Sequence, residues 1–160
     1  MVPFLKGAIH RHDAVNKPMA LTFTDAVTGA PVDISTMKGK VIMLDFWATW
    51  CGPCIAELPT VKKLYETYHD KGLEVIGISL DVPEAQGGLT KLKDFVAKNS
   101  MPWPEYFEGK QFGGDFSGAY GIMSIPAQFL IDKNGMFVGM ADVRSAEFEA
   151  ELQKLLNASS

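Results

Sequence analysis

The sequence predicts one α/β domain in which a mixed β-sheet is flanked by helices. Residues 41–47 and 74–80 are short, nearly continuous apolar runs of the kind that form strands buried on both faces. Amphipathic helical patterns alternate with these strands, and an Asn-Gly turn at residues 134–135 separates two further strand patterns. Strands that alternate with helices pack as layers around one sheet, and 160 residues suit one such domain.

The remaining elements follow from local signals. Two short β-prone runs, residues 20–24 and 32–34, are separated by turn residues and predict an N-terminal β-hairpin. A helix is expected to begin near Pro53 and to end at Gly72, since proline suits a first helical turn and glycine a helix end. The later elements are expected as a helix around residues 89–96, strands at residues 127–131 and 136–140, and a closing helix around residues 148–156.

Residues 1–15 show no sustained hydrophobic period, and we interpret them as a lead-in or linker before a single domain over residues 16–160. The start of the chain also lacks the charged and apolar stretches of a signal peptide. Whether a signal, anchor or further domain precedes residue 1 is left open.

Composition excludes several classes of function. The net charge is −4 and no basic patch is present, so nucleic acid is not an expected partner. No apolar run reaches the length of roughly 18–20 residues that crosses a bilayer. His10 and His12 are interpreted as exposed polar residues rather than metal ligands, so no metal site is predicted.

The chain has two cysteines, Cys51 and Cys54, and their spacing carries the chemistry. A structural zinc site needs four ligands, and no second pair at matching spacing is present. A purely structural disulfide across two residues closes almost no loop and restrains the unfolded chain little. Redox exchange is the favoured interpretation, because the pair also falls between a buried strand and a helix start.

The same position assigns different roles to the two thiols. Unpaired backbone N–H groups and the dipole at the predicted helix start stabilise a thiolate on Cys51. Cys54 falls one turn later on the apolar stripe, where burial is expected to keep it protonated. We therefore expect Cys51 to attack a substrate disulfide and Cys54 to resolve the mixed disulfide.

The residues around the cysteines resemble those of a known family. Residues 40–54 (KVIMLDFWATWCGPC) and 57–59 (ELP) are similar to thioredoxin-like proteins, most of all to the TlpA/ResA branch of bacterial disulfide reductases. Residues 75–81, 120–126 and 129–135 extend the resemblance, which runs from about residue 16 to the end of the chain. It implies a thioredoxin fold with an N-terminal hairpin extension and a thiol–disulfide oxidoreductase activity.

The resemblance also implies a substrate site. Pro126 matches the family's cis-proline, which faces the active-site disulfide, and Ile125 would offer backbone groups to an extended substrate segment. We expect the rest of the substrate contacts around the cysteines, at Trp50, Gly52 and Pro53.

Two acidic residues are candidates for moving protons. Asp45 interrupts an apolar strand, so its pKa is expected to rise, and it matches the buried aspartate that serves the second cysteine in thioredoxins. Its alternatives are a side chain turned outward or one fixed by a local hydrogen bond. Many members of the TlpA/ResA branch have asparagine at the position of Asp45.

Glu57 matches an acidic residue that tunes the thiols in that branch. The alternative interpretation is a solvated glutamate in the first helical turn.

Two other functions share part of this pattern. A peroxiredoxin-like thiol peroxidase has the same fold, but its Pro-x-x-x-Thr-x-x-Cys loop is absent and the only arginines are Arg11 and Arg144. A copper-handling, non-enzymatic module of the Sco type pairs a Cys-x-x-x-Cys with a late histidine, and here no histidine follows His69.

The Gly-Pro dipeptide between the cysteines favours a disulfide reductase over a strong oxidant of the DsbA type. No cofactor is needed, because the Cys51–Cys54 disulfide itself carries two electrons. The expected partners are protein disulfides and an upstream thiol electron donor, and a membrane tether outside this chain is compatible with the resemblance. That resemblance points to a bacterial periplasm or cell envelope, and a cytoplasmic setting is left open.

Overall fold

A mixed five-stranded sheet is the centre of the structure, a computed structural model that describes residues 2–159. The strands are β1 (Thr22–Thr24), β2 (Pro31–Asp33), β3 (Val41–Trp47), β4 (Leu73–Ser79), β5 (Glu105–Phe107), β6 (Ala127–Ile131) and β7 (Phe137–Ala141). The helices are α1 (Pro3–Ala14), α2 (Gly52–Tyr68), α3 (Gly88–Lys98), α4 (Asp115–Ala119) and α5 (Phe148–Asn157). The sheet order is β5-β4-β3-β6-β7.

Strand β3 is the central strand, and all seven of its residues are buried. It pairs in parallel with β4 and antiparallel with β6, which in turn pairs antiparallel with β7. A strand covered on both faces has no polar side to alternate with, which is why this segment is a nearly continuous apolar run. The predicted bounds of β3 and β6 are confirmed, and β4 begins one residue earlier than predicted.

The N-terminal hairpin is also confirmed. Strands β1 and β2 pair antiparallel as a separate two-stranded sheet, with Phe23 opposite Val32. The helices α2, α3 and α5 lie where the helical periods predict them. Within residues 2–159, no helix is both long enough and apolar enough to cross a membrane.

Residues 1–15, which the sequence indicates as a lead-in or linker, contain helix α1. It spans twelve residues, and Gly7 is the buried residue at its contact with the domain. The helix docks through a glycine and through Arg11, whose guanidinium donates to the carbonyl oxygens of Tyr120 and Gly121 at 2.7 and 3.0 Å. Docking of this kind needs no apolar stripe, so it leaves no helical period in the sequence. The domain boundary after residue 15 stays a prediction.

Two short elements, β5 and α4, have no counterpart among the elements that the sequence predicts. Strand β5 pairs in parallel with β4 at the edge of the sheet and carries a buried glutamate, Glu105. Elements of three and five residues are too short to produce a recognisable period.

Candidate active site

The two cysteines form a disulfide at the start of α2, with their Cα atoms 5.3 Å apart. Cys51 is the N-cap of the helix, and its sulfur lies 3.2 Å from the main-chain nitrogen of Cys54, which donates to it. The predicted position between a buried strand and a helix start is therefore confirmed. Both residues are nearly buried, at 4% and 6% exposure, so in the disulfide state exposure does not distinguish the attacking cysteine from the resolving one.

A second loop faces the disulfide from the start of β6. The Ile125–Pro126 peptide bond is cis, as the resemblance implies. The carbonyl oxygen of Ile125 lies 3.8 Å from the sulfur of Cys51, so the two loops meet at the reactive bond. Both Ile125 and Pro126 are partly exposed, which leaves this loop accessible beside the cysteines.

Three large apolar side chains that lie close in the chain to the cysteines or to the facing loop are exposed. Trp50 is 48% exposed, and its indole N–H donates to the carbonyl oxygen of Leu80 at 3.2 Å, which fixes the ring beside the cysteines. Ile55 and Met123 are also large apolar residues with exposed side chains. Gly52 and Pro53 form the exposed first turn of α2. Large exposed apolar groups that lie together are typical of a surface that binds another molecule.

The loop before Cys51 is held by a buried carboxylate that the sequence pattern does not single out. Asp81 is 1% exposed and accepts hydrogen bonds from the main-chain N–H of Thr49 at 3.0 Å and from its hydroxyl at 2.5 Å. The hydroxyl of Ser79 donates to the other carboxylate oxygen at 2.6 Å. These bonds restrain the backbone two residues before Cys51.

The two candidate acids, Asp45 and Glu57, are joined by one amide group. The Gln128 side-chain nitrogen lies 2.9 Å from Asp45 Oδ1 and 2.6 Å from Glu57 Oε1. Its oxygen accepts the main-chain N–H of Val143 at 3.4 Å, which orients the NH₂ group towards the carboxylates. Because an amide NH₂ has two hydrogens, one is available for each acid.

Neither acid takes the exposed position that the sequence left open as an alternative, and their roles stay predictions. Asp45 does not turn outward, and its partner Gln128 lies on a neighbouring strand. Glu57 is not a solvated residue of the first turn but is 6% exposed. It also lies on the buried side of α2 together with Cys54.

Burial controls the protonation of both acids. Desolvation raises the pKa of Asp45 from 3.8 to about 7, although the hydrogen bond from Gln128 opposes the shift. Desolvation also raises the pKa of Glu57, with Gln128 and then the Arg144 charge acting in the opposite direction. A carboxyl with a pKa near neutrality can both give and take a proton at physiological pH.

An exposed charged pair in the turn after β7 contacts Glu57. Arg144 Nε lies 3.3 Å from Glu57 Oε2, and it also lies 3.1 Å from Asp142 Oδ1, to which it donates. Glu57 Oε2 is buried and accepts no hydrogen bond from any residue that the structure describes. The guanidinium is therefore close enough to act on Glu57 through its charge, but its N–H is aimed at Asp142.

A third buried acid lies further along the same sheet. Glu105 is fully buried, and its two oxygens accept the indole N–H groups of Trp47 at 2.8 Å and Trp103 at 3.0 Å. Desolvation raises the pKa of Glu105 well above its usual value, and the charge of Asp45 raises it further. Trp47 is thus a core residue that also binds a buried carboxyl.

Gln128, Arg144 and Glu105 are not among the candidate residues that the sequence predicts. Gln128 could have been found by the argument used for Asp45, since it is a polar residue in the apolar strand of residues 127–131. Glu105 similarly interrupts the aromatic stretch of residues 103–107. Arg144 gives no such signal, because it is an ordinary charged residue in an exposed turn.

Comparison with known proteins agrees with this geometry. The AhpC/TSA family model matches residues 15–139. Thiol-disulfide oxidoreductase ResA of Bacillus thuringiensis subsp. konkukian (strain 97-27) is 30% identical over 128 residues, which cover 80% of this chain and 68% of the relative. ResA of Bacillus anthracis is 32% identical over 129 residues, which cover 79% of this chain and 70% of the relative.

Solved structures show the same fold. A Chlorobium tepidum structure assigned as thiol:disulfide interchange protein DsbE superposes with a TM-score of 0.74 at 26% identity, over 91% of this chain and 99% of that one. The thioredoxin domain of a Bacteroides vulgatus thiol-disulfide oxidoreductase gives 0.73 at 27% identity, over 90% and 99%. The predicted thioredoxin-like fold is confirmed. The chain therefore belongs to the AhpC/TSA family, and within it to the thiol–disulfide oxidoreductases of the ResA/DsbE type.

Proposed function

We propose that this protein is a disulfide reductase that acts on protein disulfides through Cys51 and Cys54. The observation that supports this most directly is the pair's setting: the disulfide begins a helix, faces the Ile125–Pro126 loop, and lies one turn before Glu57 and its buried acid partner. A helix start lowers a thiol pKa, and the buried acids provide a proton store beside the second cysteine.

The reaction proceeds in two exchanges. The Cys51 thiolate attacks one sulfur of the substrate disulfide, forms a mixed disulfide and releases the first substrate thiolate. Cys54 then attacks the Cys51 sulfur, closes the protein disulfide and releases the second substrate thiol. Two electrons pass to the substrate, and the products are two substrate thiols and the Cys51–Cys54 disulfide. No other cofactor is required, and an upstream dithiol donor restores the reduced protein.

The buried acids serve the second exchange. Cys54 must lose its proton before it can attack, and Asp45, with a pKa of about 7, is suited to receive it. Gln128 joins Asp45 to Glu57, and the charge of Glu57 raises the pKa of Asp45. We assign Asp45 and Glu57 to this proton transfer and Gln128 to holding them in place.

The substrate is an extended protein segment that lies between the two loops. Trp50, Ile55 and Met123 supply apolar contacts around the sulfur atoms, and the first turn of α2 at Gly52 and Pro53 leaves the approach open. The backbone of Ile125 next to Pro126 would pair with that segment, as strand addition does in other peptide sites. The setting that fits such clients is the bacterial periplasm or cell envelope.

Trapping the mixed disulfide tests the mechanism. Cys54→Ser should accumulate a covalent adduct with a peptide disulfide through Cys51, while Cys51→Ser should form none. An adduct on Cys54 in the Cys51→Ser variant, at the rate seen for Cys51, would refute the assigned order of attack.

The direction of electron flow is tested by the reduction potential of the cysteine pair in defined thiol buffers. A reductase should give a value near that of thioredoxin, about −270 mV. A value near that of DsbA, about −120 mV, would make the protein a dithiol oxidase instead.

The alternative activity of a thiol peroxidase lacks support in the site. Arg11 donates to the carbonyl oxygens of Tyr120 and Gly121, and Arg144 donates to Asp142, so within residues 2–159 neither arginine bonds to Cys51. We expect slow peroxide consumption by the reduced protein, and a fast reaction would restore that candidate.

A further inference from the structure

Arg144 and Asp142 form an exposed charged pair beside Glu57, one of the two buried acids. The side chains of Arg144 and Asp142 are 61% and 51% exposed, whereas that of Glu57 is 4% exposed. Asp45, linked to Glu57 through Gln128, lies on the central strand β3. Of the two buried acids, Glu57 is therefore the one that the exposed pair contacts.

The two carboxylate oxygens of Glu57 have different partners. Glu57 Oε1 receives a short hydrogen bond from Gln128, at 2.6 Å, whereas Oε2 is buried without a donor among the residues that the structure describes. The cation that faces it is Arg144, with Nε at 3.3 Å, and its N–H is directed to Asp142. A buried carboxylate oxygen without a hydrogen-bond donor is costly when it is charged. The protonation state of Glu57 therefore depends on how the guanidinium divides its interactions between Glu57 and Asp142.

We propose that Arg144 is a positioning residue which, in competition with Asp142, sets the charge on Glu57, the member of the Asp45–Gln128–Glu57 group that the exposed pair contacts. Arg144 favours the ionised carboxylate, and Asp142 opposes it in two ways. Its own negative charge lies near Glu57, and its carboxylate accepts the N–H that would otherwise reach Oε2. The part of this inference that concerns turnover rests on the proposed role of Glu57 in proton transfer.

The groups that face Glu57 are few and can be separated experimentally. Asp45 faces it from β3 through Gln128, Asp142 and Arg144 face it from the turn after β7, and Cys54 lies one turn earlier on its own helix. Burial raises the pKa of Glu57, and of its neighbours Gln128 and Arg144 lower it while Asp142 raises it. Removing Arg144 should therefore raise the pKa of Glu57, and removing the charge of Asp142 should lower it.

The experiment is a titration of the Glu57 side-chain carbon by NMR in the full chain in its disulfide form, so that no thiol titrates. Arg144→Gln should move the midpoint up, Asp142→Asn should move it down, and Arg144→Lys should stay close to the wild type because it keeps the charge. Lys63→Gln is the matched control, since it removes an exposed positive charge from the same helix without facing Glu57. The Arg144→Gln shift should shrink between about 0.05 M and about 0.5 M salt, as the Debye length shortens.

Opposite shifts distinguish this role from a general structural one. If Arg144→Gln and Asp142→Asn move the midpoint in the same direction, or if Arg144→Gln leaves it unchanged, the inference is wrong. A loosened turn would disturb both variants alike, and Arg144→Lys would then not restore the wild-type value.

A second readout separates this inference from the proposed function. The rate of mixed-disulfide resolution at neutral pH should change about two- to fivefold in Arg144→Gln, the size expected for an exposed charge acting on a nearby group. If the NMR midpoints move as expected while Glu57→Gln resolves at the wild-type rate across pH, Arg144 controls the charge of Glu57 but the proton-transfer role of Glu57 fails.

Discussion

Gly77 lies directly opposite Glu105 in the parallel pair of β4 and β5, and the carboxyl group of Glu105 occupies the space where a side chain at position 77 would be. Asp45 is the register partner of Gly77 on the other side, on β3. The absent side chain thus makes room for a buried acid that extends towards Asp45 across one strand. Glu105 can accept both indole N–H groups only because residue 77 is a glycine without a side chain.

Gly77→Ala should destabilise the protein by about 1–3 kcal/mol, the usual cost of forcing extra atoms into a packed interior. The new Cβ would overlap the Glu105 carboxylate, which would then leave the N–H groups of Trp47 and Trp103. Urea unfolding of the disulfide form measures the loss. Gly113→Ala is the control, because a Cβ there meets no atom within 4 Å. Equal stability of the two variants would show that the carboxylate does not need this space.

Asp45→Asn should stabilise the disulfide form, and increasingly so as the pH rises. The folded-state pKa of Asp45 is about 7, against 3.8 for an unperturbed aspartate. Between these values the folded protein holds a proton that the unfolded chain has lost, so wild-type stability falls as the pH rises through this window. A pKa shift of about three units corresponds to about 4 kcal/mol of unfolding free energy lost at high pH. Asparagine does not ionise, so the variant does not lose this stability.

The measurement compares urea unfolding of the wild type and Asp45→Asn at about pH 4 and about pH 8. The difference in stability should be much larger at the higher pH. Asp94→Asn, on the exposed side of α3, provides the matched control. A difference that is the same at both values would mean that Asp45 does not ionise in this range.

The features that the sequence predicted correctly are those that depend on residues close together in the chain. The apolar run of β3, the hairpin at Asn134 and Gly135, and the cysteine pair at a helix start are all local signals, and each lies where expected. The link between the acids is not local, because Gln128 lies 83 residues from Asp45 and 71 from Glu57 along the chain. The pairing of β3 with β6 brings Gln128 beside Asp45, and the buried side of α2 brings Glu57 to the same amide.

The docking of helix α1 is a second feature that the sequence does not predict. Its contact uses Gly7 against Gly121 and the guanidinium of Arg11 on two carbonyl oxygens, so no apolar repeat predicts it.

The burial of the two cysteines is predicted only in part. The sequence predicts that Cys54 is shielded, but the disulfide form buries Cys51 to the same extent.

Gln128→Met should raise the pKa of both Asp45 and Glu57, because the hydrogen bond that opposes their desolvation is lost. The rate of mixed-disulfide resolution, followed by stopped flow across pH, should then shift its midpoint to higher pH. We also expect a loss of stability of about 1–3 kcal/mol, since buried groups are left without partners. Gln153→Met is the control, because the Gln153 amide bonds to Tyr68, away from the cysteines. Superimposable pH profiles for Gln128→Met and the wild type would exclude a role for the bridging amide.

Gly7→Ala should loosen the loop that leads to Pro126. A Cβ at position 7 would lie 2.5 Å from the backbone of Gly121, and backbone atoms cannot move aside as a flexible side chain does. Helix α1 should therefore shift, and Arg11 should lose its bonds to Tyr120 and Gly121. Amide hydrogen exchange at Gly121 and at its neighbour, residue 122, should become roughly tenfold faster or more.

The same Gly7→Ala variant should reduce protein disulfides more slowly, because the substrate segment needs an ordered loop, while its rate with a small aromatic disulfide should be unchanged. Lys6→Ala, an exposed position on the same helix, is the control for loss of helix charge or propensity. Exchange rates in Gly7→Ala that match those of Lys6→Ala would show that α1 does not restrain this loop.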